Sequence, residues 1–372
     1  MFYLTRRIIL IPVCLFSVFI QASSLDDFDV GKTKVSGTIM MDYGTLTGLG
    51  SQSESGGALF ETEIRRARIV LENSLKNNWK AKLQVSIDEE SSESKIGDAY
   101  FRYEGFNHAF LTLGKFKEPV GLENMTSSKN ITFLERSMMS NAFSLGKNKG
   151  LMLSNSSDSM SWAVSLSDID SDDEYNPYSI GGRITWSPSF QNNNALHLGA
   201  STSFRDMDGE SFEVEEGTEF NGSDLVTNMD KIDVNTMQVS GIEVAWLGGP
   251  ASVQAEYMLA EVQAVYEASD VSLDGFYIQG SYFLNNDSRK YKSGRFSGVS
   301  PQSSAGAYEL TSRYSVLNTQ ESSTGNEAKA TTLGLNYYYS KYIRFMGNLL
   351  YTESSDAIDD GEAVIIRAQF SF

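Results

Sequence analysis

The sequence predicts an all-β protein: a closed, 16-stranded antiparallel transmembrane β-barrel. Three observations predict it. Apolar and polar residues alternate with a period of two. Sixteen segments have the length of a membrane-crossing strand. The connections between them alternate between short and long. The period is clearest in the last ten residues, where Val364, Ile366, Ala368, Phe370 and Phe372 fall on one face and Ile365, Arg367, Gln369 and Ser371 on the other. Side chains alternate across a strand, so this segment has an oily side and a wet side. A soluble edge strand has the same alternation, and the other two observations separate the readings.

Membrane-crossing strands need about 9–11 residues bounded by turn residues. In order, the candidates are Thr33–Tyr43, Leu59–Glu72, Trp79–Asp88, Ile96–Glu104, His108–Lys115, Lys149–Asn155, Met160–Ser167 and Ser179–Ser187. They continue with Ala195–Arg205, Lys231–Trp246, Ala251–Val262, Val271–Leu284, Gly306–Leu317, Ala330–Tyr339, Tyr342–Thr352 and Glu362–Phe372. The even count suits a closed single-chain barrel. Short connections at Asn77-Asn78, 105–107, 155–159, 188–194, 247–250 and Ser340-Lys341 read as periplasmic turns. Longer polar ones at 44–58, 89–95, 116–148, 168–178, 206–230, 263–270, 318–329 and 353–361 read as external loops. One connector breaks the rule. Residues 285–305 should form a short turn, yet they are long and carry Arg289, Lys290, Lys292 and Arg295. Either a strand pair is missing from the count or the segment folds back into the barrel.

The amino terminus carries Arg6 and Arg7, an apolar run from Ile8 to Ile20, and small residues at Ala22-Ser23-Ser24. This reads as a cleaved secretory signal over residues 1–24, with the cut after Ser24 or Ala22, leaving a barrel domain over 25–372. A retained anchor is the alternative. The run is too short to span a bilayer as a helix, and no later stretch approaches the ~20 apolar residues of a membrane helix. The only cysteine, Cys14, lies in that run, so a mature chain has no thiol for disulfides, catalysis or metal ligation. The formal charge of −18 makes a poor nucleic-acid binder. Acids crowd Asp168–Glu174, Asp206–Glu219 and Asp356–Glu362, which read as solvated hairpin tips rather than calcium sites. Aromatics near strand ends, Tyr43, Trp79, Tyr103, Trp162, Trp186, Trp246, Tyr337 and Tyr339, suit girdles at the two interfaces.

Parity assigns the inner face. Along Trp79–Asp88, Ala81, Leu83, Val85 and Ile87 face lipid, and Lys80, Lys82, Gln84, Ser86 and Asp88 face the lumen. Arg66, Arg68, Arg102, Arg183, His197, Arg205, Arg313, Arg344 and Arg367 also turn inward, against the acids Glu72, Asp88, Asp98, Glu104, Glu243 and Glu309. Arg65 is out of phase and goes to the rim or a subunit interface. A charge on the lipid face costs roughly 2–4 kcal/mol at midplane, which forces cations inward. Low-dielectric walls focus their field, and rings of Arg or Lys select anions. Alternatively, these cations pair with the inward acids and stiffen the wall.

Phe60-Glu-Thr-Glu-Ile-Arg-Arg-Ala-Arg-Ile-Val-Leu-Glu72 resembles the Arg-Arg-Ala-Arg strand of the phosphate-selective porin O and P family. The likeness strengthens at Gly114-Lys-Phe-Lys-Glu-Pro119, Leu122–Lys129 and Ile131–Ser137. It recurs at Gly306–Leu310 with Arg313-Tyr314, at Thr332–Tyr338 and at Arg367–Phe370. The resemblance implies a homotrimeric porin in the bacterial cell outer membrane, embedded in lipid and lipopolysaccharide, with loop 116–148 folded inward as a constriction. It implies phosphate-selecting roles for Arg66, Arg68 and Lys115 or Lys117. The loop offers Lys117, Lys129, Arg136 and Lys147 against Glu118, Glu123 and Glu135, while Lys80, Lys82 and Arg102 are nominated by parity.

The expected function is a passive channel for small hydrophilic solutes, preferring anions and selecting phosphate or polyphosphate, with no cofactor. The alternatives are an unselective general porin and an adhesin or structural barrel. A barrel hydrolase needs a serine beside a histidine. Only His108, at a turn, and His197, on a strand, are present, and they read as a turn residue and a lumen polar residue.

Overall fold

The computed structural model describes residues 32–48, 59–87, 94–157, 159–170, 176–190, 194–221, 223, 225–266, 270–357 and 360–372. The expected leader, Asp88 and parts of several external loops lie outside the described residues.

In chain order the elements are β1 (Thr33–Gly48), β2 (Leu59–Ser74), β3 (Trp79–Ile87), β4 (Ser94–Tyr103), β5 (Phe110–Lys117), α1 (Leu122–Met125), α2 (Met138–Phe143), β6 (Lys147–Ser156), β7 (Met160–Asp168) and β8 (Tyr178–Trp186). They continue with β9 (Ser189–Phe190), β10 (Asn194–Asp206), β11 (Ser211–Gly217), β12 (Leu225–Gly248), β13 (Ala251–Ala264), β14 (Val271–Phe283), β15 (Lys290–Lys292), β16 (Arg295–Ser297), β17 (Ala307–Asn318), β18 (Glu327–Tyr338), β19 (Ile343–Ser354) and β20 (Gly361–Ser371). Sixteen of these pair antiparallel with their neighbours and close on themselves through β1 and β20. Each expected strand is present, with ends moved by a few residues. The short β9 and β11 extend β10 and β12, and β15 and β16 form a separate ribbon. No helix among the described residues is long and apolar enough to cross a membrane.

Turn chemistry sets the short ends. Asn77 and Asn78 take φ of 57° and 64°, the left-handed pair that a two-residue hairpin between right-twisted strands requires. The closing seam has its own device. Phe372 N–H donates to the Gly37 carbonyl (3.0 Å) and Gly37 N–H to the Phe372 carbonyl (3.0 Å). A Cβ on Gly37 would lie 2.4 Å from the Phe372 ring, so the final aromatic packs into a notch on β1.

The two faces are inverted relative to a soluble protein. Leu83, Ile87, Phe101, Ile242, Leu333 and Ile366 are exposed outside, whereas Arg205, Arg313, Arg344 and Arg367 are buried inside. The outward aromatic belt at the periplasmic end includes Trp79 against Tyr103 (ring centroids 5.1 Å), Trp186, Trp246, and Tyr308 stacked on Tyr337 (4.5 Å). Rings at this depth place an apolar body and a polar tip at the lipid boundary.

The lumen is not water-filled throughout. In the loop that follows β5, Leu134, Met138, Met139 and Phe143 pack against Val239, Met258, Leu273, Tyr277 and Leu317 of the wall. That side of the barrel therefore has a packed apolar core. The connector 284–306 fills its periplasmic end by folding back inside and forming the β15–β16 ribbon. Arg289 forks onto Glu309 (2.7 and 2.9 Å), Arg183 donates to the Gly294 carbonyl (2.8 Å), and Phe296 packs on Leu122, Ala245 and Leu247. The acidic segment 206–219 is also more than a solvated tip. Glu219 is buried and accepts from Arg313 and from Ser315 Oγ (2.6 Å).

Candidate functional site

Residues 118–146 enter the barrel after β5, as expected for a constriction. The fold sorts their charges by sign. Glu118 accepts from Ser203 Oγ (2.7 Å) and Arg205 (3.5 Å). Glu123 accepts from Arg313 (3.2 Å) and from the Ser137 N–H and hydroxyl (2.9 and 3.0 Å). Glu135 binds Arg367 (2.6 Å) and a bidentate Arg65 (2.8 and 3.0 Å). Burial alone would raise the Glu135 carboxyl, but Arg65, Arg367 and Arg66 outweigh it and hold it well below the usual carboxylate range. All three loop acids are turned to the wall.

The loop cations are left toward the β2–β6 side. Among the described residues Arg136 reaches only carbonyls, those of Glu123 (3.2 Å) and Thr126 (2.9 Å). Lys117 Nζ donates to the Asn124 carbonyl (2.8 Å). Arg68 donates to Ser86 Oγ (3.2 Å) and Ser128 Oγ (3.4 Å). Arg66 sits 3.7 Å from Glu135, and its buried Nε has no partner among the described residues. Lys129 makes no ion pair among the described residues. Guanidinium donors held this way have spare capacity to fork onto an oxyanion.

The other nominated residues are spread along the wall. Lys82 binds Asp98 (2.8 Å), which also holds Lys147 (2.7 Å). Arg102 donates to Thr112 (3.1 Å) and lies over the Tyr100 ring (5.3 Å). Lys80 is more exposed and pairs with Glu104 (2.7 Å), near the periplasmic turns. Lys115 is not brought to the cluster. It is in register with Lys149, and its neighbours Leu113 and Leu151 share the outer face, so it reaches Asp170 of an external loop (3.6 Å). Of the pair Lys115 and Lys117, only Lys117 enters the lumen.

Arg65 corrects the parity argument in the other direction. Its side chain points inward to Glu135, not to the rim. The β1–β2 register shifts between Met40 and Asp42, opposite Arg66 and Glu63, and such a bulge places adjacent residues on one face. Nothing in the residue sequence marks that bulge. The expected excess of lumen cations over acids also holds only locally. On the packed side Arg183, Arg205, Arg289, Arg313 and Arg367 each have a buried carboxylate: Glu243, Glu118, Glu309, Glu123 and Asp42. His197 is buried there beside Tyr291 and Glu243. No cluster of metal-ligating side chains occurs among the described residues.

The family model for phosphate-selective porin O and P matches residues 33–372. Porin O of Pseudomonas aeruginosa is 26% identical over 390 residues, covering 91% of this chain and 88% of that protein. Two solved structures share the fold at low identity. OmpT of Vibrio cholerae superposes with a TM-score of 0.60 at 13% identity, covering 92% of this chain and 100% of that one. An anion-selective porin from Comamonas acidovorans gives 0.59 at 11%, covering 92% and 99%.

Proposed function

Because the chain belongs to the phosphate-selective porin O and P family, we propose that it is a passive outer-membrane channel for small anions that favours inorganic phosphate, its constriction formed by Arg66, Arg68, Lys117, Lys129 and Arg136. The observation that carries this reading is the sorting of loop charge: Glu118, Glu123 and Glu135 are turned to wall arginines, while Lys117 and Arg136 hold only backbone carbonyls among the described residues. A solute oxyanion replaces part of its hydration shell with those donors and moves on, because no single one grips it tightly. Arg102, held by Thr112 and the Tyr100 ring, extends the positive field along the same wall, where Lys82 and Lys147 share Asp98. The mature protein starts after the leader and works as a homotrimer set in lipid and lipopolysaccharide, consistent with the trimer form recorded for the Vibrio cholerae OmpT.

Reversal potentials across a planar bilayer in asymmetric KCl test the reading. The wild type should prefer chloride over potassium, and phosphate should block the chloride current. Arg66→Glu with Arg68→Glu should lower the anion-to-cation permeability ratio by about tenfold or more, the equivalent of ~1.4 kcal/mol. A wild-type channel that prefers potassium, or whose chloride current ignores phosphate, points to a general porin. Absence of ohmic conductance points to an adhesin or structural barrel.

A further inference from the structure

We propose that Glu256, a carboxylate of the far wall, is the positioning residue that sets the phosphate affinity of the constriction. This rests on the anion-channel reading above. Glu256 lies on β13, seven strands around the ring of sixteen from β2, and is buried. Leu122 N–H donates to its Oε2 and Glu123 N–H to its Oε1, both at 2.6 Å, and the Tyr277 hydroxyl donates to Oε1. Gly121 N–H is taken by Ser201 Oγ (3.2 Å). Gly121 has φ of 72°, and a Cβ there would lie 2.4 Å from Met258 and 3.0 Å from Glu256 Oε2, so the chain approaches the wall as closely as a glycine permits.

The turn 121–126 is thus a strut across the lumen. Its amide end is fixed by Glu256. Its carbonyl end is gripped by two of the site cations: Lys117 on the Asn124 carbonyl, and Arg136 on the Glu123 and Thr126 carbonyls. Glu256 therefore acts on the site through the backbone and at a distance from the ion path. Its two oxygens each accept from one of two successive amides, and misplacement of about 1 Å at a binding group is enough to weaken it strongly.

A positioning role differs from a field role and from a purely structural one. The solvent-facing charges stay the same when Glu256 is neutralised, so the anion-to-cation ratio should hold. Unlike Glu135, Glu256 makes no ion pair among the described residues, so its replacement by glutamine strands no buried cation and heat stability in detergent should hold as well. The test uses the full mature barrel in planar bilayers, with inorganic phosphate titrated against chloride current. In Glu256→Gln the half-blocking phosphate concentration should rise about tenfold, the loss of one of its two amide hydrogen bonds. Tyr277→Phe, which removes one hydroxyl and keeps the ring, should raise it by a smaller factor. Reversal potential and melting should stay near wild type in both. Unchanged phosphate block overturns the proposal, and Tyr277→Phe decides it alone if the glutamine variant does not assemble. A shifted reversal potential or a lowered melting point in place of weakened block also overturns it. A wild-type channel that phosphate does not block sinks the phosphate reading, and this inference with it.

Discussion

Glu135 shows how one residue can hold a site together without lining it. It joins Arg65, Arg66 and Arg367, and Arg367 in turn forks onto Asp42 with both distances 2.6 Å. Removing Glu135 takes the carboxylate from Arg65 and Arg66, while Arg367 keeps Asp42. Glu135→Ala should therefore lower barrel stability by about 3–5 kcal/mol, read from the urea midpoint of tryptophan fluorescence in detergent. Replacing an exposed acid such as Glu353 should leave the midpoint within ~0.5 kcal/mol. Residue identity was legible at this scale, and partnership was not. Parity turned Arg367 inward, but its acids come from β1 and from a loop more than two hundred residues away.

Among the elements, strands were the most legible, because period two and turn residues are local signals. Exceptions arise where an element meets something distant. The bulge that swings Arg65 inward, and the connector 284–306 that enters the barrel, depend on surfaces that exist only after closure. The external β11 hairpin is similar. Burial pushes its Glu216 carboxyl up to about 8, with a hydrogen bond from Asn141 of α2 pulling the other way. A carboxyl raised in the folded state favours folding when protonated. The hairpin's docking on α2 should hold below the ordinary carboxylate range and weaken as pH climbs through about 8. Limited proteolysis of the 211–217 segment should accelerate between pH 6 and 9, and Glu216→Gln should flatten that dependence.

At the scale of the molecule, closure joins the first strand to the last. Gly37 is fixed by the ring of Phe372, which occupies the space a side chain would need, with the Arg68 carbonyl 2.9 Å from the same point. Gly37→Val should cost about 1–3 kcal/mol by overpacking, seen as loss of the heat-modifiable folded band on electrophoresis. Part of that loss should return in Gly37→Val with Phe372→Ala, while the Arg68 carbonyl clash remains. Independent, additive losses would count against the notch as the coupling between the two ends.

Local alternation is enough to read the chain as a barrel of sixteen strands and, apart from places such as Arg65 and Lys115, to say which face of a strand is oily. All of these follow from local alternation and from the lipid's intolerance of charge and of unpaired backbone. Which lumen charges cancel emerges only once the barrel is closed. Pairing depends on distance across the barrel, and no period along the chain encodes distance. That is why the inward cations, read as one positive lining, divide into a packed half sealed by carboxylates and an open half where Arg66, Arg68, Lys117 and Arg136 keep donors for a passing anion.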